Sequence, residues 1–234
     1  MHDQEQFDHL WQSRINQERD LGEYKPGQNL RIDKALQELP QGQRLLDIGC
    51  GDGTFLAKAK DGFREAFGID IAETAVALAI KRGVKATALN MNSGNLQFQD
   101  DFFDAITILS TFQYFYDPDG VLKECHRIIR DEGVLLMSIP NMRTFWRVGR
   151  LLFSGRFPRV SKDMIGYDGG TLHYFCFHDM QELLSRNGFR IDWAHGIYPI
   201  PIFLSNLSDK AWMGKIKREF FCAEIFIKAV KIPS

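Results

Sequence analysis

The sequence predicts an α/β protein with a mostly parallel sheet covered by helices on both faces. Three observations carry this. From Arg44 to Asn141, short apolar runs alternate with segments of helical spacing. The runs RLLDIGC, FDAITILST and VLLMSIPN are apolar at nearly every position, the pattern of strands buried on both faces. The first of them passes directly into Gly49, Gly51 and Gly53, at the strand end where an open α/β sheet takes its ligand.

The elements follow in order. Residues 1–24 read as one or two polar helices carrying Phe7, Trp11 and Tyr24, broken by Pro26 and Gly27. Arg31 to Leu39 has helical spacing and ends at the turn PQGQ. RLLDIGC is the first strand, TFLAKAKD a helix and AFGID the second strand. AETAVALAIKRG is a helix stopped by Gly83. VKATALN and FDAITILST are the third and fourth strands. In DPDGVLKECHRIIRDEG, Asp117, Pro118 and Asp119 suit a helix start and Gly133 its end. VLLMSIPN is the fifth strand. The rhythm then breaks, and the stretch up to LHYF reads as an insertion or lid. It resumes with FHDMQELLSRNG, a helix capped by Asp179 or His178 and ended at Gly188, then the strands FRIDWAHGIY and CAEIFIKAVK. Residues 1–234 are thus expected to form one domain. It has N-terminal helices (1–40), a core (44–141), a lid insertion (142–177) and a C-terminal helix with strands (178–234).

Bulk properties exclude several classes. A formal net charge of -1 argues against a nucleic-acid binder, which is usually strongly basic. Cys50, Cys125, Cys176 and Cys222 are far apart with no CxxC, so neither a metal site nor a disulfide framework is expected. Reduced thiols in a cytoplasmic protein are the simplest reading. The start, MHDQEQFDHLWQSR, lacks the apolar stretch of a signal peptide. No run approaches the roughly 18 apolar residues of a transmembrane helix.

The glycine turn carries the functional signal. Glycines here permit positive φ and close approach of backbone to a ligand. The spacing is GxGxG, against the GxGxxG of dinucleotide sites. Asp47 stands two residues before Gly49, and Asp70 ends the next strand, where a carboxylate can accept hydrogen bonds from ribose hydroxyls. Together these describe a site for an adenosyl ligand. A nicotinamide-dependent dehydrogenase fits poorly, because no hydride-transfer constellation accompanies the turn.

At these residues, LLDIGCGDG, GIDIA, NSGNLQFQDDFFDAITILS and DPDGVLKECHRIIRDEGVLLMSIPN, the chain resembles the class I S-adenosylmethionine-dependent methyltransferases. The resemblance implies a Rossmann-like fold with a seven-stranded sheet whose last strand is antiparallel. It implies S-adenosylmethionine as cofactor, with S-adenosylhomocysteine as product. Asp47 and the backbone of Gly49, Cys50, Gly51 and Gly53 would face its methionine and ribose portion. Asp70 would hold the ribose hydroxyls and Ile71 would lie against adenine. Asn92 and Ser93 would meet the adenine amino group, with Asn90 a weaker candidate. Leu109 and Ser110 would end the fourth strand beside the cofactor, Leu109 reading equally as core.

Methyl transfer from a sulfonium needs alignment and exclusion of water more than a base. After the fourth strand relatives often carry Glu-His; this chain has Gln113-Tyr114, neither a good base at neutral pH. Gln113 can hydrogen-bond substrate and Tyr114 can wall the pocket or act on the acceptor; both also read as loop packing. His173 is the remaining acid/base and substrate-contact candidate, because histidine titrates near neutrality. It reads equally as a fastening for the lid.

SIPNMRTFWRVGRLLFSGRFP and LHYFCFHDMQELLSRNGFRI resemble the MetW-like branch of type 11 methyltransferases. That likeness implies a link to methionine biosynthesis, and for some members a role as partner of a homoserine acyltransferase. Similar lids occur in methyltransferases of envelope and glycan pathways. The lid is basic and aromatic but shows no clean amphipathic stripe. Its arginines suit an acidic substrate, a peripheral contact with anionic lipid or protein, or a solvated face with its aromatics packed on the sheet. DKAWMGKIKREFF repeats the mixture.

Overall fold

The computed structural model describes residues 2–17, 24–27, 29–91, 96–159, 170–198 and 219–233. Seven strands form one sheet: β1 (Gly42–Ile48), β2 (Phe63–Asp70), β3 (Lys85–Ala88), β4 (Phe103–Leu109), β5 (Ile129–Pro140), β6 (Phe189–Ile197) and β7 (Glu224–Lys231). Their order is β3-β2-β1-β4-β5-β7-β6. The pairings among β1 to β5 are parallel, while β7 runs antiparallel to both β5 and β6. The order reverses between β1 and β4, so the carboxyl ends of these two strands diverge into helices on opposite sides and leave a crevice.

Alternation along each strand splits the core into two layers. Leu46, Ile48, Ile106, Ile108, Leu135 and Met137 pack beneath α5 (Pro118–Ile128) and α7 (Phe177–Arg186). Leu45, Ala105 and Leu136 face the other way, against α2 (Leu30–Glu38), α3 (Thr54–Ala59) and α4 (Glu73–Lys81). Both faces of the central strands are therefore apolar, which is why their sequences lack polar alternation.

Local chemistry sets the ends of the elements. Asn29 caps α2 by accepting from the Ile32 N–H at 3.3 Å. Asp117 caps α5 by accepting from the Gly120 N–H at 2.9 Å, with Pro118 in the first turn. The buried Asp104 carboxylate accepts from the N–H groups of Gln43 and Arg44 at 2.7 and 2.6 Å, fixing the start of β1.

Several boundaries differ from the sequence expectation: β2 begins at Phe63 rather than Ala66, α3 ends at Ala59 rather than Asp61, and two further differences have a clear physical reason. Helix α5 ends at Ile128 rather than Gly133. Ile129 is drawn into the sheet opposite Phe103, the register shifts before Val134, and Glu132 makes the turn with φ +58°. The cap of α7 is Cys176 rather than Asp179 or His178. Asp179 sits in the first turn and its carboxylate accepts from the Cys176 N–H at 2.6 Å, the return half of a capping box.

The N-terminal helix α1 (His2–Asn16) lies along α4. Its Asp8 carboxylate accepts from the Thr74 N–H at 2.8 Å, supplying a cap that α4 lacks in its own sequence. In the stretch after β5, α6 (Phe145–Ser154) is helical. Asn141, fully buried just after β5, donates to the carbonyls of Glu219 and Cys222 and so joins the start of that stretch to the segment entering β7.

Candidate functional site

A cavity of about 1020 Å³ opens at the carboxyl ends of β1, β2 and β4, where the strand order reverses. The glycine turn after β1 forms its floor. Gly49 has φ +78° and a Cβ there would lie 2.7 Å from Thr111 Cβ, so no side chain fits. Gly51 has φ +54°, and a Cβ there would meet the Trp11 ring of α1 at 2.8 Å. The turn is bare because a loop presses on it from one side and α1 from the other.

Two carboxylates flank this turn. Asp70, at the end of β2, accepts from the Gly51 N–H at 2.8 Å and from the Ala72 N–H at 3.0 Å. Burial raises its pKa, and the backbone N–H donors oppose the rise. Asp47 is almost wholly buried, and burial pushes its pKa up to about 7. A hydrogen bond from the Thr107 hydroxyl at 2.6 Å opposes that shift, the nearby Asp70 charge adds to it, and Arg31 opposes it. The Cys50 thiol is also pushed up by burial, so the thiol is neutral and acts as packing beneath the turn.

Asp47, Gly49, Cys50, Gly51, Asp70, Ile71, Asn90, Leu109, Ser110, Gln113 and Tyr114 all line the cavity. Gly53 lies behind it, in the left-handed region, as the residue preceding α3. Asn92 and Ser93 lie outside the described residues. His173 does not line the cavity: its ring stacks on Phe175 at 5.7 Å, and its backbone N–H donates to the Gln113 carbonyl at 3.1 Å.

The structure adds residues that the sequence did not place at the site. Phe7, Leu10 and Trp11 of α1 line the cavity, and Phe7 meets the Tyr114 ring edge-on at 5.5 Å. Arg31, Arg147, Thr171 and Glu224 also line the cavity. Glu224 accepts from the Ser110 hydroxyl and pairs with Arg31 at 3.4 Å. Ser110 itself holds φ +54°, a strained conformation for a residue with a side chain, and such strain concentrates at functional sites. These residues come from α2, α6, β7 and the loops, so no local motif announces them.

Among the described residues, two buried oxygens in this wall have no hydrogen-bond partner: Gln113 Oε1 and Thr171 Oγ1. Gln113 is 3% exposed and Thr171 4%. The Gln113 amide orientation is fixed, because Nε2 donates to the Ser110 carbonyl at 2.9 Å and leaves Oε1 as an acceptor. A buried oxygen without a partner carries a desolvation cost that a ligand can remove.

Known proteins resemble this chain in sequence and fold. The model of the family described as "Methionine biosynthesis protein MetW" matches residues 31–223. A demethylmenaquinone methyltransferase of Thermotoga maritima is 33% identical over 185 residues, covering 70% of this chain and 78% of that protein. A bifunctional methionine biosynthesis protein MetXA/MetW of Rhodopirellula baltica is 26% identical over 175 residues, covering 70% of this chain and 28% of that protein. The chain spans only 37% of the length of a Mycobacterium tuberculosis protein named as a probable S-adenosylmethionine-dependent methyltransferase, at 29% identity over 101 residues, 43% of this chain. In fold, it superimposes with a TM-score of 0.69 on the methyltransferase in a complex with the Haloferax volcanii Trm112 activator. That match has 17% identity and covers 99% of this chain and 98% of the other.

S-adenosylmethionine is the cofactor of this superfamily, and the residues present fit it. The turn has no room for a Cβ at Gly49 or Gly51, carboxylates stand at the ends of β1 and β2, and the cavity over them is walled by Ile71, Leu109 and Trp11. With its family model matched over most of its length, the chain belongs to the MetW family of the class I S-adenosylmethionine-dependent methyltransferases.

Proposed function

We propose that the chain is a cytoplasmic methyltransferase that transfers the methyl group of S-adenosylmethionine to a small-molecule acceptor, of the kind handled in envelope or glycan pathways. The observation that carries this reading is the bare glycine turn, flanked by Asp47 and Asp70, opening on the 1020 Å³ cavity at the point where the strand order reverses. The cofactor supplies an electrophilic methyl group. The chain's part is to hold it, orient the acceptor and exclude water. Asp70 is assigned to the ribose hydroxyls and Ile71 to the adenine face. Asp47 and the backbone of Gly49, Cys50, Gly51 and Gly53 are assigned to the methionine and ribose portion, and Leu109 and Ser110 to the adjoining wall. Asn92 and Ser93 keep the adenine edge. Residues 1–234 are taken as a single domain, with α1 roofing the cofactor end.

Gln113 and Thr171 are assigned to the acceptor. Gln113 Oε1 is an open acceptor, so an O–H or N–H on the acceptor suits it. Tyr114 lines the same wall, and His173 acts through the backbone of Gln113. Glu224, paired with Arg31, lines the same cavity and suits a proton-bearing or cationic group on the acceptor.

Calorimetric titration with S-adenosylmethionine and S-adenosylhomocysteine, with NADH as control, tests the cofactor assignment. Micromolar binding of the adenosyl ligands alone supports it; failure of both to bind refutes it.

A second reading is favoured by the Rhodopirellula baltica protein, whose name joins MetXA and MetW in one chain. In that reading the chain serves a homoserine acyltransferase as a partner and has little or no transfer activity of its own. Gel filtration with such an acyltransferase decides it: a stable complex supports partnership, and separate elution counts against it.

A further inference from the structure

Helix α6 leaves most of its apolar side exposed among the described residues. At 3.6 residues per turn, Phe145, Val148, Leu151 and Leu152 share one side, with Trp146 and Phe153 at its edge. Arg147, Arg150 and Ser154 form the other. The sequence suggested no clean stripe, yet the apolar residues cover more than half the circumference. Of the polar residues, Arg147 turns to the protein: its Nη1 donates to the Ala223 carbonyl at 2.8 Å and it lines the cavity, while on the apolar side Phe145 rests against the Phe221 ring at 5.4 Å. None of the ten helical residues is buried. Phe153 is 92% exposed, Leu152 72%, Phe157 53% and Phe145 51%. A surface helix normally buries its apolar stripe in the core. A contiguous exposed apolar patch marks a place where something else docks.

Charge selects the occupant. From residue 133 to residue 162 the chain contains five arginines, one lysine and no Asp or Glu. Glu219 engages Arg143, and backbone carbonyls engage Arg147. Arg150 and Arg156 stand exposed, with no acidic partner among the described residues. A second copy docked on this face would bring the same cations into register and repel. A surface that is apolar within and anionic at its rim satisfies both features at once. An anionic lipid bilayer has that form, taking the apolar side into the acyl boundary and the arginines at the phosphates.

We propose that α6 and the turn through Phe157 dock on an anionic lipid bilayer. The contact is peripheral, since no helix among the described residues is long and apolar enough to cross a membrane. It does not depend on the transfer chemistry.

Flotation of the full chain with vesicles tests the proposal. One set is phosphatidylcholine alone; the other contains phosphatidylglycerol as well. The chain is expected to float with the anionic vesicles and not with the neutral ones, and to be released by salt. Leu152→Asp with Phe153→Asp is expected to abolish flotation while far-UV circular dichroism is unchanged. Arg150→Glu and Arg156→Glu are each expected to weaken partitioning by about fivefold or more. Absence of flotation with anionic vesicles overturns the proposal, as does equal flotation of the Leu152/Phe153 variant. A concentration-dependent dimer in light scattering, lost in that variant, would also overturn it and assign the face to a second copy.

Discussion

The Asp70 carboxylate accepts the Gly51 N–H at 2.8 Å and so ties the end of β2 to the glycine turn after β1. One residue thereby shapes the turn and presents lone pairs to the cavity. Asp70→Ala is expected to lower the affinity for S-adenosylhomocysteine roughly ten- to a hundredfold, the worth of a hydrogen bond to a charged group. Calorimetry measures it, and unchanged affinity would remove Asp70 from the ribose.

Gly49 faces Thr111 with no space between them. Gly49→Ala should lower the unfolding midpoint and abolish cofactor binding, because it meets a positive φ and a side-chain clash together. Adding Thr111→Ala should restore part of the stability, since it removes the hydroxyl and methyl but leaves the φ strain and the 2.7 Å approach to the residue 111 Cβ. Thermal melts of the single and double variants measure this. Full recovery in the double variant would show that neither remaining term costs stability.

Burial raises the Asp47 pKa from 3.8 to about 7. Between those values the folded chain holds a proton that the unfolded chain has released. Stability from this group is therefore fully present below the unfolded pKa and is lost as pH rises through about 7. Each tenfold difference in proton affinity between the folded and unfolded chain is worth about 1.4 kcal/mol at most. Asp47→Asn cannot ionise, so its ligand-free melting temperature should decline less than that of the parent between about pH 5 and about pH 8. Parallel curves for the two proteins would contradict the burial argument.

Thr171 carries a buried hydroxyl with no hydrogen-bond partner among the described residues. Thr171→Val keeps the shape and removes that oxygen, so the ligand-free chain should gain about 1 kcal/mol in chemical denaturation. Binding of S-adenosylhomocysteine should not change, while transfer to the acceptor should fall. A loss of stability in the valine variant would mean that the hydroxyl is satisfied in solution.

Much of this was legible in the sequence because it is local or periodic. Apolar runs longer than a two-residue alternation specify strands covered on both faces, and Gly49, Gly51 and Gly53 specify a turn that backbone sterics allow to few other residues. Asp47 and Asp70 follow from their positions at the strand ends. The end of α5 was not legible, because Ile129 obeys its pairing with Phe103 in β4 rather than the helical pattern behind it. The cap on α4 was not legible either, since it comes from Asp8, 66 residues away.

The tertiary structure alone assembled the polar wall of the cavity. Arg31, Arg147, Thr171 and Glu224 lie in four separate segments, and only the placing of β7 between β5 and β6 brings Glu224 to Ser110. It also set which side of α6 turns outward. The sequence by itself determined where the glycine turn stands, because backbone freedom is a property of each residue. It left open what faces the cavity and what faces the solvent, because those depend on packing between segments far apart in the chain.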